Sequence, residues 1–140
     1  MDYNNPWIFD GKAFTDDSVG DLFGFVYIIT NKSTGKKYVG KKLFTIAGYK
    51  TIKGKRKKIR KPSDWKEYYG SSPRLQIDLD TFGKDNFSRE IIRLCPNRSS
   101  ASYYEAKIIF ETDAILSDDW YNDWVTVKIS SVHVKAIYKK

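Results

Sequence analysis

The most regular pattern in the chain is a run of β-forming residues from Phe25 to Thr30 that is apolar on both of its alternating faces. A strand of this kind fits a central position in a sheet. A polar turn follows, in which Gly35 supplies the flexible position. A second strand then runs through residues 37–40. The pattern therefore predicts a β-hairpin over residues 24–40.

Two later segments carry the signals of helices. Ser72 precedes Pro73, which is the order of a serine cap with proline at the first helical position, and Gly83 is placed to end that helix. A second helix is predicted over residues 99–114 from an apolar stripe at helical spacing. The stripe consists of Tyr103, Ala106, Ile109 and Phe110. Residues 86–94, between the two helices, predict a third strand.

These elements divide one predicted domain, residues 1–140, into three parts. An irregular arm spans residues 1–22, a core spans residues 24–123, and an extension spans residues 124–140. Short strand-like alternation in the extension is found at Val125, Val127, Ile129 and around His133. The order of hairpin, helix, strand and helix predicts an α+β fold, with a small antiparallel or mixed three-stranded central sheet flanked by helices.

A dense cluster of positive charge lies between the hairpin and the first helix. The net charge is +8, and residues 50–61 alone hold eight Lys or Arg residues and no acidic residue. Residues 41–62 lack a clean period, so we predict a long basic loop or ribbon, an insertion that is often functional in a small domain. Such charge favours a polyanionic partner, and a solvated loop without a partner is the alternative. The candidate DNA-binding residues are Lys41, Lys42, Lys53, Lys55, Arg56, Lys57 and Lys58.

Cysteine and histidine are too scarce for two common kinds of site. Cys95 is the single cysteine, so an intramolecular disulfide is excluded, and with His133 as the single histidine a Cys/His zinc site is ruled out. This composition favours an intracellular protein. No apolar run approaches the roughly 18 residues of a membrane span, so we predict no membrane partner.

The two strands of the hairpin carry a spaced pair of tyrosine motifs. Phe-Val-Tyr at residues 25–27 is followed across the turn by Tyr-Val-Gly at residues 38–40, and together they resemble the paired motif of the GIY-YIG nuclease superfamily. Further segments are similar to phage-borne members related to homing endonucleases: Tyr69-Gly70-Ser71-Ser72, Phe87, Glu90-Ile91-Ile92, Tyr104-Glu105 and Tyr121-Asn122. The resemblance covers roughly residues 24–123.

This resemblance implies hydrolysis of a DNA phosphodiester with one divalent cation, Mg²⁺ or Mn²⁺. In that chemistry a carboxylate holds the metal, a tyrosine manages the proton of the attacking water, an arginine steadies the phosphate and an asparagine supports the site. Carried over by position, these roles fall on Glu105 as the metal ligand, on Tyr27 and Tyr38, and on Asn122. The scheme is physically reasonable, because Mg²⁺ binds one or two carboxylates and keeps waters that phosphate oxygens can replace.

The arginine is the point at which the chain departs from the family pattern. In typical members it lies on a helix soon after the Tyr-x-Gly strand, where this chain has Lys41, Lys42 and the basic insertion. Arg60 is the preferred candidate because it is nearer to the Tyr-Gly-Ser-Ser turn, and Arg56 is the alternative. Lys42 could supply the charge instead, although lysine cannot make a bidentate phosphate contact.

Each of these residues also has a purely structural interpretation. Tyr27 and Tyr38 could be core aromatics, since strands favour tyrosine. Glu105 could complete a capping box with Ser102, although the apolar pattern places the start of the helix earlier. Asn122 could stabilise a turn.

The role of the tyrosines depends on their ionisation. Tyrosine is a poor base at neutral pH because its ordinary pKa is near 10. Nearby cations favour the ionised form of a phenol. We therefore expect Lys41, Lys42 and the basic insertion to lower the pKa values of Tyr27 and Tyr38.

The leading interpretation is a metal-dependent DNA endonuclease encoded by a phage or mobile element and acting in the cytoplasm of a bacterial host. The alternatives are a catalytically inactive nucleic-acid-binding module of the same fold and a protein-binding inhibitor. Few residues follow Asn122, so sequence specificity is expected to be low, or to come from the basic segment, the C-terminal pieces, a homodimer or a partner protein.

Overall fold

The fold is known from a computed structural model, which describes residues 3–126, 128 and 130–138. The strands are β1 (Ile8–Phe9), β2 (Lys12–Ala13), β3 (Gly24–Asn31), β4 (Lys37–Leu43), β5 (Thr45–Ile52), β6 (Lys55–Pro62) and β7 (Phe87–Cys95). The helices are α1 (Pro73–Phe82), α2 (Arg98–Thr112) and the short α3 (Ser131–Val134). The α+β class predicted from the sequence is confirmed.

The central sheet has five strands in the order β2-β1-β7-β3-β4. Its middle is as predicted, because β3 pairs antiparallel with both β4 and β7. The expected count of three strands is wrong, since the N-terminal arm adds β2 and also β1, which runs parallel to β7. Strands of two residues are too short to show a period, so the sequence pattern does not reveal them.

A buried arginine helps to hold the N-terminal arm against the core. Arg89 on β7 is almost fully buried, and its guanidinium donates to the carbonyl oxygens of Asn5 at 2.6 Å, Lys66 at 2.8 Å and Tyr68 at 2.9 Å. The indole of Trp7 donates to the carbonyl oxygen of Trp65 at 2.6 Å. These bonds join the arm to the segment before α1, because a buried guanidinium must find acceptors for its donors.

The two faces of β3 pack against different layers. One face carries Phe25, Tyr27 and Ile29, which join an aromatic core that includes the residues Trp7, Phe44 and Trp65. The opposite face carries Val26, which joins Val39 in a second core against α2. The prediction of a central strand buried on both faces is therefore confirmed.

Both main helices begin at polar caps. In α1 the Ser72 hydroxyl accepts from the main-chain N–H of Leu75 at 3.3 Å, and the helix ends at Gly83 with φ +86°, as predicted. In α2 the cap is Asn97, whose side chain accepts from the main-chain N–H of Ser100 at 2.8 Å. Glu105 therefore lies inside α2, and the alternative of a capping box with Ser102 is wrong.

The predicted apolar stripe of α2 is only partly correct. Ala106 and Ile109 are buried, but the Phe110 side chain is 55% exposed. The helix also ends at Thr112, because Asp113 turns the chain with a left-handed φ of +52°. Ala114 instead begins a short 3₁₀ turn, and it is fully buried there.

The end of the chain differs from the predicted β-like pieces. Residues 131–134 form α3, and a 3₁₀ turn continues through residues 135–138. The carbonyl oxygen of Ser130 accepts from the N–H groups of His133 and Val134, which closes helical turns. Alternation over so few residues does not select a strand. Val127 and Ile129 lie outside the described residues. In the described part of the chain, no helix has the length and apolar character needed to cross a membrane.

The basic insertion is a two-stranded antiparallel ribbon made of β5 and β6, which we call the basic ribbon, residues 45–62. Its tip is a tight turn in which Lys53 and Gly54 both have positive φ, +51° and +73°. Positive φ at both central residues is the conformation that matches the twist of a hairpin. The alternative of a ribbon, rather than an irregular loop, is confirmed.

Candidate active site

The outer edge of β4 is covered by polar groups from later in the chain. The main-chain N–H of Lys37 donates to the carbonyl oxygen of Asp119 at 3.0 Å, and the carbonyl oxygen of Lys37 accepts from Tyr121 at 2.7 Å. At Val39 the Asn122 side chain accepts from the N–H at 3.0 Å and donates to the carbonyl oxygen at 2.8 Å. An open strand edge exposes unpaired main-chain groups, so these contacts close it.

Glu105 lies beside the same edge, next to Lys41. The Lys41 ammonium is 3.9 Å from the Glu105 carboxylate and donates to the Ser102 hydroxyl at 2.8 Å. Burial raises the pKa of Glu105 above its usual range, while the ammonium and the main-chain N–H of Lys41 oppose that shift. The Glu105 carboxylate is therefore partly shielded from water, which is common for a functional acidic group.

A cleft of about 270 Å³ opens at this edge, and we call it the edge cleft. Its walls are the edge of β4, the start of α1, the middle of α2 and residues 121–126. The lining includes Tyr38, Lys41, Ser71, Glu105, Asn122 and Trp124. The structure therefore brings together Tyr38, Glu105 and Asn122, three of the five candidate catalytic residues.

Two glycines make room for the tyrosines. A Cβ at Gly40 would collide with the Tyr27 hydroxyl and would lie 3.0 Å from the Tyr38 ring. A Cβ at Gly70, where φ is +82°, would lie 3.2 Å from the same edge of the Tyr38 ring. Close approach favours glycine at Gly40, and the positive φ favours it at Gly70. The Tyr38 hydroxyl is then within 3.3 Å of the Ser71 hydroxyl.

Tyr27 lies behind the cleft. It is almost fully buried, and its ring centroid is 4.9 Å from that of Trp7 and 6.2 Å from that of Tyr38. It does not line the edge cleft. Tyr27 packs against Tyr38 from the core side. Its packing is therefore that of a core aromatic residue.

Burial controls the ionisation of both tyrosines. Loss of solvent raises the pKa of Tyr27 well above its usual range, and the neighbouring Tyr68 adds to the shift. Burial also raises the pKa of Tyr38, partly opposed by the hydrogen bond to Ser71. The expectation that nearby lysines lower these pKa values is wrong, because desolvation is the larger effect. With pKa values raised above 10, both phenols keep their proton at neutral pH.

The candidate cations for the phosphate lie mostly elsewhere. Arg60 is exposed at the base of the basic ribbon, where it donates to the hydroxyl of Thr45 at 3.1 Å and to its carbonyl oxygen at 2.6 Å. The Lys42 ammonium lies 4.0 Å from the centre of the Tyr68 ring and 2.6 Å from the Asp64 carboxylate. Arg56 is farther along the ribbon. The structure does not bring these three residues into the edge cleft; it brings Lys41.

Sequence reasoning missed an arginine beside the cleft. Arg74 follows the cleft-lining Pro73 in the first turn of α1, and it pairs with Asp123 at 2.8 Å. It also donates to the carbonyl oxygen of Trp120 at 3.3 Å. If the basic ribbon is treated as an insertion, α1 becomes the helix that follows the Tyr-x-Gly strand. With α1 in that position, the order of elements along the sequence would indicate Arg74 as the candidate arginine.

Two further lining residues were also missed. Ser71 stands in the sequence analysis only as part of the Tyr-Gly-Ser-Ser segment, with no role assigned, although its hydroxyl contacts Tyr38. Trp124 is 77% exposed at the cleft rim. Nothing in the local sequence marks Trp124, because its place depends on how Asn122 attaches its segment to β4.

The donor set fits a hard cation that carries waters. Across residues 3–126, 128 and 130–138, no group of three or more His, Cys, Asp or Glu side chains could hold a metal ion by itself. Glu105 offers one carboxylate in an accessible cleft, and Asp123 is engaged by Arg74. Mg²⁺ is suited to such a site, because it accepts one carboxylate and completes its shell with water and phosphate oxygens.

A hairpin with paired tyrosine motifs and a glutamate on the covering helix define a GIY-YIG domain. The chain matches the family profile described as "Putative endonuclease segE, GIY-YIG domain" over residues 7–125, and it belongs to that family. It is also 30% identical over 102 residues to the "Putative endonuclease segE" of Enterobacteria phage T4. The match covers 72% of this chain and 40% of that relative. No solved structure matches the chain significantly. The resemblance read from the motifs is confirmed.

Proposed function

We propose that this chain is a divalent-metal-dependent DNA endonuclease of phage type, acting in the cytoplasm of a bacterial host. The observation that carries the proposal is the placement of Glu105 and Tyr38 in one cleft at the edge of β4. A carboxylate partly shielded from water and a protonated phenol that line the same cleft are suited to phosphodiester hydrolysis. That reaction needs a bound cation and an oriented water. Family membership supports the same reaction class.

Glu105 would hold Mg²⁺ or Mn²⁺, with Lys41 as the neighbouring positive charge. When bound, the cation supplies neutralisation of the negative charge that develops on the phosphate. The Tyr38 hydroxyl would orient the attacking water, and the proton that this water loses would reach the leaving oxygen of the phosphodiester through solvent in the open cleft. Tyr27 fixes the Tyr38 ring from behind, and Asn122 keeps the β4 edge in place.

Positive groups around the cleft would bind the phosphates of the substrate. Arg74 is presented at its edge by α1 and can make a bidentate phosphate contact once released from Asp123. Arg60 at the base of the ribbon would bind a phosphate outside the cleft. Trp124 presents an exposed ring of the kind that stacks on bases.

A second candidate function is binding of nucleic acid without cleavage. The observation that favours it is the ion pair between Lys41 and Glu105, which neutralises the carboxylate that a metal would need. In that case the basic ribbon and Trp124 would provide the binding surface. The edge cleft would then bind phosphate or a base without a metal.

Incubation of supercoiled plasmid with the protein and Mg²⁺ or Mn²⁺, with EDTA as a control, separates the two functions. Nicked or linear DNA that depends on the metal is the expected result. Glu105→Gln should abolish it. Glu111→Gln is the matched control, because Glu111 lies on the same helix but is exposed and paired with Lys107. Equal cutting by the parent and Glu105→Gln would refute the metal-site assignment.

A further inference from the structure

The register of the basic ribbon sorts its charges onto two faces. Opposite residues in an antiparallel pair share a face, and the face alternates at each step. The pairs Tyr49↔Lys58 and Thr51↔Arg56 therefore lie on one side, and Lys50↔Lys57 lies on the other. The ribbon is thus two different surfaces, although its composition alone suggests uniform charge.

The two surfaces have different chemistry. The first, which we call the arginine face, consists of Tyr49, Thr51, Arg56, Lys58 and Arg60. The second, which we call the lysine face, consists of Lys50, Lys55, Lys57 and Lys61 together with Ile46, Ile52 and Ile59. The arginine face carries planar and hydroxyl groups suited to base edges, while the charges of the lysine face are flexible point charges.

One contact on the arginine face orients the Arg56 side chain in the absence of DNA. The Arg56 guanidinium lies 4.0 Å above the centre of the Tyr49 ring, and Tyr49 is 59% exposed. Stacking on an aromatic ring restricts the planar guanidinium without using its hydrogen-bond donors. Arg56 is thereby oriented near the tip of the ribbon, and no residue that the structure describes accepts from its donors.

The ribbon is also fixed at its base. Arg60 is bonded to Thr45 across the two strands, the Ser63 hydroxyl donates to the carbonyl oxygen of Leu43 at 2.6 Å, and Phe44 is buried in the aromatic core. A ribbon with a fixed base presents a fixed face relative to the edge cleft. Its strands of eight residues span about 26 Å at roughly 3.3 Å per residue.

We infer that the basic ribbon enters the major groove of duplex DNA with its arginine face toward the base edges, so that Arg56 contributes sequence preference. A two-stranded ribbon fits that groove, and a bidentate contact from arginine to guanine is the commonest specific contact there. The long lysine side chains of the other face reach the flanking phosphates, which carry no sequence information. Residues 45–62 hold no acidic residue, so the whole ribbon is complementary to DNA. This inference rests on the proposed function.

The test compares one variant from each face in the Glu105→Gln background, which removes cleavage from the measurement. Each protein is bound to a pool of random duplexes, the bound fraction is sequenced, and affinity is measured over a salt series. Arg56→Lys keeps the charge but loses the bidentate contact, so it should flatten preference at one or two positions by about tenfold or more without changing the salt dependence. The Lys50→Ala, Lys57→Ala double variant should weaken binding to every sequence alike, lowering the salt slope by up to about 1.8.

The outcomes separate this inference from the proposed function. A parent that cuts plasmid but enriches no sequence overturns the inference and leaves the endonuclease standing. A parent that binds with sequence preference but never cuts overturns the endonuclease, and the Arg56→Lys arm still decides the inference. If Arg56→Lys keeps the preference of the parent, or if both variants lose affinity in the same way, the ribbon does not read bases through Arg56. If the parent binds no DNA, both proposals fail.

Discussion

The edge cleft and the basic ribbon differ in how their side chains are held. The cleft assembles Tyr38, Ser71, Glu105 and Asn122 from four separate segments, and its polar groups are mostly bonded and partly buried. The ribbon is one continuous segment, residues 45–62, and all eight of its Lys and Arg side chains are exposed. Chemistry needs groups removed from water, whereas attraction of a polyanion needs charges at the surface.

If the cleft performs the chemistry and the ribbon binds DNA, as proposed above, this difference separates turnover from affinity. A change in the cleft alters a fixed arrangement in which each group has few alternatives. A change in the ribbon removes one of many similar charges. We therefore expect large effects on cleavage from single cleft variants and smaller, graded effects on binding from ribbon variants.

The largest effect is expected from Glu105→Gln. Loss of the metal ligand should lower plasmid cleavage by about 10³-fold or more, the scale of several kcal/mol of charge stabilisation. Folding should survive. Because burial raises the folded-state pKa of Glu105 above 4.5, its stabilising contribution is present below that pH and is lost as pH rises through the folded pKa.

The Gln variant should therefore be at least as stable as the parent at pH 7, which thermal unfolding would measure. Cleavage by the parent should fall as pH drops through the raised pKa of Glu105, since the protonated acid cannot hold the cation. A Gln variant that is inactive and also unfolds at room temperature would mean that the carboxylate serves α2 packing. Glu111→Gln should change neither property.

The next largest effect is expected from Tyr38→Phe. Its hydroxyl faces the cleft beside Ser71, so its loss should lower cleavage by about 10²-fold, the usual scale for a group that manages a proton or orients water. Tyr27→Phe should reduce cleavage less, because Tyr27 acts through the packing of Tyr38. Single-turnover kinetics on both variants would check the order. A larger loss at Tyr27 than at Tyr38 would reverse the assigned roles.

Asn122→Ala should act mainly on stability. It leaves the N–H and carbonyl groups of the buried Val39 without partners, and each unpaired buried group costs about 1–3 kcal/mol. Urea unfolding would measure the loss. Asn122→Asp is the informative comparison, since it keeps the acceptor for the N–H but loses the donor to the carbonyl oxygen. A variant with unchanged stability and reduced cleavage would place Asn122 in the chemistry instead.

The sequence predicted the parts of this molecule that local rules determine. The β3 hairpin, the start of α1 at Ser72 and its end at Gly83 follow from alternation and capping residues within a few positions. The burial of Arg89 depends on carbonyl groups far away in the chain, and no local rule shows it. β1 forms because it can pair with β7, where Ile8 lies opposite Glu90.

The same limit applies to the site. The motif order located Tyr38, Glu105 and Asn122 because the resemblance supplied positions for them. It did not show that Arg60 lies outside the edge cleft, because composition cannot show that the insertion is a ribbon whose Arg60 donates to Thr45. It also gave the wrong direction for the tyrosine pKa values, since burial is a property of the fold and outweighs nearby charge.

The smallest effect, and a graded one, is expected from neutralising the ribbon. If about half of its eight charges reach phosphates, the ribbon alone should give a slope of roughly −3 to −4 for log affinity against log salt. Changing four lysines to Ala should reduce the slope by about 2 and weaken binding to all sequences alike, with cleavage of bound DNA preserved. The four are Lys53, Lys55, Lys57 and Lys58.

The matched control neutralises four exposed lysines on the body of the domain, namely Lys12, Lys32, Lys84 and Lys107. Both proteins lose the same net charge, so a general electrostatic effect would change their slopes equally. A direct role of the ribbon requires that the ribbon variant lose clearly more slope than the control. Equal slopes would mean that the ribbon points away from bound DNA, and affinity would then have to come from the cleft side of the molecule, near Arg74 and Trp124.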